Sequence, residues 1–317
     1  MEWRDVRTTY EFKQLLDRLD AEKARLDTYR PIPAYKIKSI KDSLTMEWTY
    51  NSNSIEGNTL SLIETVVVVK DGLTIAGKSL REHFEAVNHN EAIGFVEELA
   101  QKGYLLKKRD ILEVHALVLD KIDKEIAGVY RTGQVRIQGA NFTPPDALVV
   151  RELMEELIEW YNTDGQQLHP IVRASVFHHR FVWIHPFFDG NGRTARLIFN
   201  LLLMSEGFPP AIILKVDRKK YYASLNASNK GDYDKLFLLV AQAAERSLSI
   251  YLNSLGSSSN GFKPINDIVS EPNAPYGQEY VSLLARRGKI TAYKEGRVWY
   301  TSKKAIEEYQ EKRERKR

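Results

Sequence analysis

Apolar residues recur every three or four positions through most of residues 1–250, which is the spacing of one face of an α-helix. In the first such stretch, residues 9–28, the prolines at positions 31 and 33 end the pattern. The same spacing predicts further helices over 34–55, 79–101, 108–121, 147–162, 170–183, 193–207, 217–229 and 232–253. The short apolar run TVVVVK has no neighbouring strand to pair with, so we assign it to a buried helix.

One segment of this part alternates in the manner of a β-strand. In QVRIQGANFTPPD, residues 134–146, Val135 and Ile137 alternate with polar residues, and two prolines close the segment. We therefore expect a mainly α fold in which this segment forms one short β-hairpin.

The C-terminal end is organised differently. Residues 253–264, NSLGSSSNGFKP, have the composition of a flexible linker. The sequence beyond them predicts a helix, two short strands around the turn KEGR, and a final helix. We divide the chain into an N-terminal helical region over 1–100, a core over 101–252, a linker over 253–263 and a small domain over 264–317.

Composition narrows the class of protein. The 317 residues are 43% hydrophobic and 28% charged, as in ordinary soluble globular proteins. No apolar run approaches the roughly 20 residues of a membrane helix, and the N-terminus lacks the apolar centre of a signal peptide. The chain has no cysteine, which excludes disulfides and thiolate metal sites. These features predict a cytoplasmic protein without membrane contact.

The net charge of +4 is unevenly distributed. Residues 261–317 contain thirteen Lys and Arg against eight Asp and Glu, so the basic character belongs to this end alone. Such an asymmetry indicates a separate module with a partner of its own.

The segment HPFFDGNGRTAR, residues 185–196, concentrates candidate chemistry in a turn before a long helix. Gly190 and Gly192 allow the backbone to form a nest for an anion, and the first N–H groups of the helix attract negative charge. Arg193 and Arg196 lie three residues apart on one helix face, so both can reach the same polyanion.

Two further residues of the segment add reactive groups. Asp189 can hold Mg²⁺, which is often bound by one carboxylate together with phosphate oxygens. His185 ends the preceding helix and can act as a general base near neutral pH. The loop thus suits the phosphates of a nucleotide, a magnesium ion and a proton acceptor, although each residue alone is also typical of an ordinary turn.

The segment resembles the complete signature of the Fic family, His-x-Phe-x-Asp/Glu-Gly-Asn-Gly-Arg-x-x-Arg, and the resemblance extends over about residues 30–250. It implies a helical Fic fold that transfers AMP from ATP to a Ser, Thr or Tyr hydroxyl of a protein target. On this resemblance His185 takes the hydroxyl proton and Asp189 binds Mg²⁺. The resemblance assigns the phosphates as follows: Asn191 with the backbone of Gly190 and Gly192 to the α- and β-phosphates, Arg193 to the β-phosphate, and Arg196 to the γ-phosphate.

Two flanking segments resemble other parts of the family. QVRIQGANFTPP resembles the flap hairpin, which holds a target segment by strand addition and lines the adenosine site. KYYASLNASNKGD resembles the segment that closes over the adenosine, although core packing explains its tyrosines equally well. The adenosine-binding residues implied by these resemblances are Gly139, Ala140, Asn141, Tyr221, Tyr222 and Asn229.

The motif SNSIEGN places an acid, Glu56, at the end of a predicted helix, where the helix dipole disfavours it. We therefore expect Glu56 to face a nearby cation, with Ser52 on the same helix face orienting its carboxylate. Ser52, Glu56 and Gly57 match the Fic inhibitory motif. The match implies that Glu56 pairs bidentately with Arg196 and blocks the γ-phosphate, whereas the simpler alternative is a solvated helix end.

The resemblance leaves several functions open. The first hypothesis is a self-inhibited protein adenylyltransferase, which transfers AMP to a protein target or to itself. An AMP-removing hydrolase would use the same residues, and transfer of UMP or phosphocholine is also compatible with the motif. Fic relatives that transfer phosphate carry lysine where Gly192 stands, which disfavours a kinase.

The C-terminal segment GQEYVSLLARRGKITAYKEGRVWY resembles a winged-helix or excisionase-like module. Its cations could contact DNA phosphates without reading sequence. They are Arg286, Arg287, Lys289, Lys294 and Arg297. The alternatives are a protein-docking or dimerisation module in a homo-oligomer, and a DNA-binding regulator whose Fic-like core only senses nucleotide. An intact His185 argues against a regulator whose core only senses nucleotide, because nucleotide binding alone needs no base.

Overall fold

The structure is a computed structural model that describes residues 3–4, 6–137, 142–255, 262–271, 274–295 and 297–314. Its α-helices are, in chain order, Tyr10–Asp27 (α1), Ala34–Ile55 (α2), Leu62–Val66 (α3), Leu80–Leu99 (α4), Lys108–Val118 (α5), Val150–Asn162 (α6), Pro170–Ile184 (α7), Asn191–Ser205 (α8), Arg218–Ser228 (α9), Asp234–Ser254 (α10), Ile265–Val269 (α11), Gln278–Arg286 (α12) and Lys303–Glu314 (α13). Its strands are Lys263–Pro264 (β1), Ala292–Glu295 (β2) and Val298–Thr301 (β3). The predicted mainly α fold is confirmed.

The chain forms two compact units, and each is discontinuous in sequence. The first comprises Met1–Val6 and Asp42–Leu236, and the second comprises Arg7–Lys41 and Phe237–Arg317. Helix α1 therefore belongs with the C-terminal residues. The linear division at residues 100, 252 and 263 stays a prediction.

Two consecutive helices, α7 and α8, form the centre of the first unit. Nearly every residue of α8 is buried, and its apolar side chains cover all sides of the helix, as expected for an element enclosed by others. Helices α4, α5 and α7 pack against α8, and α6 packs against α7. Because α7 and α8 follow one another, the loop between them lies where two buried helix ends meet.

Local sequence signals fix the helix starts in this unit. Ser61 before α3 and Ser79 before α4 each form a capping box with a glutamate three residues later. The TVVVVK run is helical as predicted and continues α3 as a π-helical turn, Val67–Asp71, that ends at Gly72. Helix α8 begins two residues earlier than predicted, at Asn191.

The predicted hairpin over residues 134–146 falls partly outside the described residues. Residues 134–137 and 142–146 are described and carry no β-strand, while Gly139, Ala140 and Asn141 are not described. The hairpin stays a prediction.

The second unit contains a three-stranded antiparallel sheet of order β1-β3-β2. Strands β2 and β3 flank the KEGR turn, as predicted, with Tyr293 opposite Tyr300. Helices α11, α12 and α13 cover the sheet through a core that includes Ile268, Val281 and Ile306. In the part of the chain that the structure describes, no helix has both the length and the apolar character needed to span a membrane.

Candidate active site

The loop between α7 and α8 is bounded by two residues in the left-handed conformation. His185 ends α7 with φ 51° and ψ 60°, and Gly190 precedes α8 with φ 73° and ψ 0°. Left-handed backbone is uncommon for a residue with a side chain, so the surroundings must stabilise His185 in this state. The conformation turns the chain sharply and keeps the His185 side chain beside the N-terminus of α8.

The interior of the loop is fixed by Asn191 and Phe187. The Phe187 ring is completely buried, its N–H donates to Asn191 Oδ1 at 2.9 Å, and Asn191 Nδ2 donates to the Phe187 carbonyl at 2.8 Å. Both polar groups of the Asn191 side chain are therefore used within the loop. A contribution of Asn191 to an anion site would come from its backbone N–H.

His115 of α5 packs against the loop. Its ring stacks on Phe187 with 3.6 Å between ring centroids, and its Nδ1 accepts the Gly128 N–H at 2.9 Å. The Nε2–H therefore donates to the Asp189 carbonyl at 3.0 Å. Burial lowers the pKa of His115 to about 4, so the ring is neutral and keeps this tautomer at physiological pH.

Two arginines line the N-terminus of α8. Arg193 and Arg196 are each only 3% exposed, although both side chains are charged. Arg193 forms ion pairs with Glu85 at 3.2 Å and with Asp189 at 3.5 Å. Guanidinium groups beside a helix N-terminus are donors that suit phosphate groups, although in this structure Arg193 and Arg196 are both paired with carboxylates.

Asp189 lies at the outer edge of the site. One carboxylate oxygen accepts the Gly190 N–H at 2.6 Å, and the other pairs with Arg81 of α4. Burial alone would raise the pKa of Asp189, but Arg193, Gly190 and Arg81 together hold it below its ordinary value. The side chain is 42% exposed and ionised, so it is accessible to a cation.

His185 is neutral in this environment. Burial lowers its pKa to about 4, and the charge of Arg131 acts in the same direction. Its Nδ1 lies 3.4 Å from the Val182 carbonyl, which can only accept a hydrogen bond. The proton therefore resides on Nδ1, and Nε2 keeps a lone pair that can take a proton.

Glu56, just beyond the end of α2, reaches the same site. Its Oε1 lies 2.8 Å from Arg196 Nη2, while Arg196 Nη1 has no hydrogen-bond partner. The pair is thus single rather than bidentate, and the bidentate prediction is wrong. The partner of Ser52 is the arginine: its hydroxyl and its carbonyl accept from Arg196 at 3.0 and 2.8 Å, so Ser52 acts on the carboxylate through Arg196.

The Glu56 carboxylate also lies over the first turn of α8. A Cβ built on Gly192 would be 2.1 Å from Glu56 Oε1 and 3.1 Å from Arg196 Nη1. Only glycine leaves room for the carboxylate there. Glu56 therefore occupies the place over the anion nest and takes one arm of Arg196.

Comparisons with known proteins agree with this geometry. A sequence model of the Fic/DOC family matches residues 105–203. The solved structure of Fic-1 (residues 134–508) from C. elegans is 33% identical, with a TM-score of 0.69, and covers 78% of this chain and 74% of that one. This chain belongs to the Fic family.

Other Fic proteins are similar over a comparable part of the chain. Protein adenylyltransferase fic-1 of Caenorhabditis elegans is 37% identical over 76% of this chain and 48% of its own length. A Fic domain containing signaling protein from Bacteroides thetaiotaomicron is 26% identical, with a TM-score of 0.70 over 76% of this chain and 97% of that one. The chain spans about half the length of its full-length Fic relatives in animals.

Of the residues predicted to contact adenosine, Tyr221 and Asn229 are hydrogen-bonded to buried histidines of α7. Tyr221 is completely buried and its hydroxyl bonds His178 Nε2 at 2.8 Å, while Asn229 Oδ1 accepts from His179 Nε2 at 2.8 Å. Tyr222 is only partly buried. Adenosine contact by these residues stays a prediction, with Tyr222 best placed for it.

The end of α2 is tied to α9. Arg218 Nε donates to the Ile55 carbonyl at 2.7 Å, and the Tyr222 hydroxyl lies 3.5 Å from the same oxygen. The Arg218 guanidinium also stacks over the Tyr222 ring at 4.9 Å. Because Ile55 precedes Glu56, these contacts help to set where the Glu56 carboxylate lies.

The sequence did not predict four residues of the site: Arg81, Glu85, His115 and Arg131. His115 gave a usable signal, because it is a polar residue on the apolar face that carries Ile111, Val114 and Val118. Arg81 and Glu85 are four residues apart on α4, which is typical of an ordinary surface pair. Their role in the site depends on contacts with residues about 110 positions later in the chain, and such contacts leave no local pattern in the sequence.

Proposed function

We propose that this Fic protein transfers AMP from ATP to the hydroxyl of a Ser, Thr or Tyr side chain in a protein target. The observation that carries the proposal is a neutral histidine, His185, placed beside a helix N-terminus with two buried arginines. Support also comes from relatives named protein adenylyltransferase at 37% identity.

In this reaction the target hydroxyl oxygen attacks the α-phosphorus of ATP. The bond from that phosphorus to the oxygen bridging to the β-phosphate breaks, and pyrophosphate leaves. Nε2 of His185 takes the hydroxyl proton. Arg193 and the α8 N–H groups hold the β-phosphate, and Arg196 holds the γ-phosphate, so that positioning and charge neutralisation lower the barrier.

A magnesium ion fits this scheme as part of the nucleotide. Among the described residues, no group of three or more His, Cys, Asp or Glu could hold a metal ion, so a magnesium ion here would take ligands from the phosphates as well. Asp189 supplies one ionised, accessible carboxylate, and phosphate oxygens supply further ligands, which is how Mg²⁺ is usually bound. When bound, Mg²⁺ would neutralise phosphate charge.

Glu56 acts as a brake in this proposal. Its carboxylate occupies the space over Gly192 and one arm of Arg196, which the γ-phosphate needs. ATP would then bind with its triphosphate displaced, and its α-phosphorus would be out of line with the attacking hydroxyl.

The role of His185 is tested by comparing Glu56→Gly with Glu56→Gly/His185→Ala. A positioned base contributes about 10²–10⁴-fold, so transfer of label from α-labelled ATP should fall by that factor. Binding of ATP, measured by calorimetry, should be the same in both variants. Equal transfer rates in the two variants would remove His185 from the mechanism.

A second candidate function is removal of AMP from a modified target. The charge of Glu56 acts on His185, and in this second function the carboxylate would help to position an attacking water. Wild-type protein would then release AMP from a target modified beforehand by Glu56→Gly, and Glu56→Gly would not. Absence of release by both would leave transfer as the only reaction.

The basic C-terminal module suggests an additional partner. Arg286, Arg287 and Arg297 are exposed, and we propose that they contact the phosphates of duplex DNA. Lys289 pairs with Glu11 instead. Salt-dependent retention of the full chain on duplex DNA, lost in Arg286→Ala/Arg287→Ala, would support this. Retention that is unchanged in that variant would favour a protein-docking role.

A further inference from the structure

Arg131 is a buried cation whose partners are backbone carbonyls. The side chain is 2% exposed. Nε donates to the His185 carbonyl at 2.8 Å, and Nη1 donates to the Gly133 carbonyl at 3.0 Å. Nη2 reaches the carbonyls of Pro145, at 2.5 Å, and Ile184, at 3.4 Å. One guanidinium thus joins four main-chain positions.

No carboxylate of the described part of the chain forms an ion pair with Arg131 within 4.0 Å. The charge of Asp146 favours the guanidinium from farther away, but burial without a contacting carboxylate is costly, and an apolar side chain would fill the same space without that cost. The presence of an arginine here is therefore best explained by the main-chain carbonyls to which its guanidinium donates. The main-chain N–H of the same residue donates to the Pro186 carbonyl at 2.9 Å, which adds a second attachment to the loop.

The four carbonyls belong to two functional segments. Ile184 and His185 form the end of α7, where the last carbonyls lack partners within the helix. Gly133 immediately precedes, and Pro145 ends, residues 134–145, the segment that resembles the Fic flap. Arg131 therefore connects both ends of the flap segment to the backbone of the proposed base.

We propose that Arg131 is a positioning residue that locks His185 in its left-handed conformation and fixes the flap segment to it, so that a bound target hydroxyl and the base keep one relative geometry. This inference rests on the proposed AMP transfer. Arg131 itself does not touch the reacting atoms in this account. It acts through His185 and through the flap.

The shape of the side chain matters as well as its charge. A guanidinium has five N–H donors in a rigid plane, whereas a lysine ammonium has three donors on one atom. Lysine at position 131 would keep the positive charge beside His185 but could not reach all four carbonyls. Glutamine would remove the charge, which contributes to lowering the pKa of His185. The two substitutions thus separate geometry from electrostatics.

Arg173 provides a matched control. It is also a buried arginine, 3% exposed, and it bonds Gln166 and Glu206 near the start of α7. At 1.5 Å per residue along the helix, it lies about 18 Å from His185. Arg173→Lys therefore reports what loss of a buried guanidinium does to folding alone.

The experiment compares Arg131→Lys, Arg131→Gln and Arg173→Lys, all in Glu56→Gly. We expect Arg131→Lys to lower kcat about 10²-fold, because a misplacement of about 1 Å has that effect, with KM for ATP unchanged. Its pH–rate profile should keep the acid limb of the parent, whereas Arg131→Gln should shift the limb to higher pH. Arg173→Lys should lower the measured kcat only by reducing the fraction of folded enzyme.

Amide hydrogen exchange gives a readout independent of activity. The main-chain N–H groups of residues 131, 185 and 187, each hydrogen-bonded in the structure, should lose protection in Arg131→Lys and keep it in Arg173→Lys. Unchanged protection, together with a kcat and pH profile no different from those of Arg173→Lys, would overturn the inference. If Glu56→Gly transfers no AMP at all, the proposed function fails, and the exchange result still decides the positioning role.

Discussion

Glycine at position 192 makes the docked position of Glu56 depend on the absence of a single methyl group. A Cβ there would lie 2.1 Å from Oε1 and 2.8 Å from Cδ of Glu56. Those distances are far inside van der Waals contact, so the carboxylate and a larger residue exclude one another. In the proposed mechanism, the same glycine that gives a phosphate access to the N-terminus of α8 also gives access to the competing acid.

Gly192→Ala should therefore destabilise the protein only when Glu56 is present. In the wild-type background we expect a loss of about 1 kcal/mol in the free energy of unfolding, because the clashing carboxylate is the end of a flexible side chain that moves aside and gives up its pair with Arg196. The loss should be much smaller in Glu56→Gly, because the clashing carboxylate is gone. Denaturant unfolding of the four proteins in this double-mutant cycle measures the coupling. Equal losses in both backgrounds would mean that the carboxylate does not lie over Gly192.

The pKa of His185 sets the pH range of the reaction. Because the base must be unprotonated and its pKa is about 4, kcat of Glu56→Gly should be flat near neutral pH. It should fall only as the pH decreases through about 4. Initial rates corrected for the folded fraction test this. An acid limb near the ordinary histidine value of about 6.5 would show that His185 is solvated in the reacting complex.

At the scale of residues, the contiguous loop could be predicted and the distant contacts could not. His185, Asp189 and Arg196 lie within one motif, so their proximity follows from the chain itself. Arg131 meets the His185 carbonyl 54 residues away, which no local pattern reveals. Ser52 was placed on the correct helix face, but its partner is the arginine rather than the acid, because a hydroxyl can accept from a guanidinium as well as donate to a carboxylate.

At the scale of elements, most helices follow the apolar periodicity because one face of each is buried. The structure adds the attachment of α2 to α9, in which Arg218 caps the Ile55 carbonyl at 2.7 Å. An arginine near a helix C-terminus is also favoured by the helix dipole. Glu56, the proposed inhibitory residue, thus follows a helix end that another helix holds in place.

Arg218→Ala should release Glu56 in part without altering the carboxylate itself. A hydrogen bond of this kind contributes about 1 kcal/mol, so AMP transfer should rise about fivefold over wild type. The rise should stay well below that of Glu56→Gly. The neighbouring exposed Lys219→Ala is the matched control and should leave the rate unchanged. An Arg218→Ala rate equal to wild type would mean that the cap does not hold the brake.

At the scale of the whole molecule, long-range contacts decide what the sequence leaves open. Helix α1 was predicted from its periodicity, yet nothing in that pattern shows that it belongs with the C-terminal residues. There Arg18 bonds Glu245 at 3.2 Å and the Gly288 carbonyl at 3.1 Å, which ties the first helix to α10 and to the turn after α12. Glu22 lies buried nearby.

Glu22 makes the stability of the second unit depend on pH. Burial, with the charge of Glu245, raises the pKa of Glu22 from 4.5 to about 8. The folded state then holds a proton that the unfolded state releases between these values, so stability falls as the pH rises from about 4.5 to about 8. In Glu22→Gln, where residue 22 is always neutral, the midpoint of denaturant unfolding should change less with pH between pH 5 and pH 9. Exposed Glu307→Gln should keep the wild-type slope, and a Glu22→Gln slope equal to it would contradict this.

The central claim is that one carboxylate, Glu56, withholds Arg196 and the α8 nest from the triphosphate. The most direct test is the initial rate of AMP transfer from α-labelled ATP by wild type and by Glu56→Gly, measured on the protein itself and on added targets. The account predicts that Glu56→Gly is faster by at least tenfold, equivalent to about 1.4 kcal/mol. Equal rates in the two proteins would contradict it.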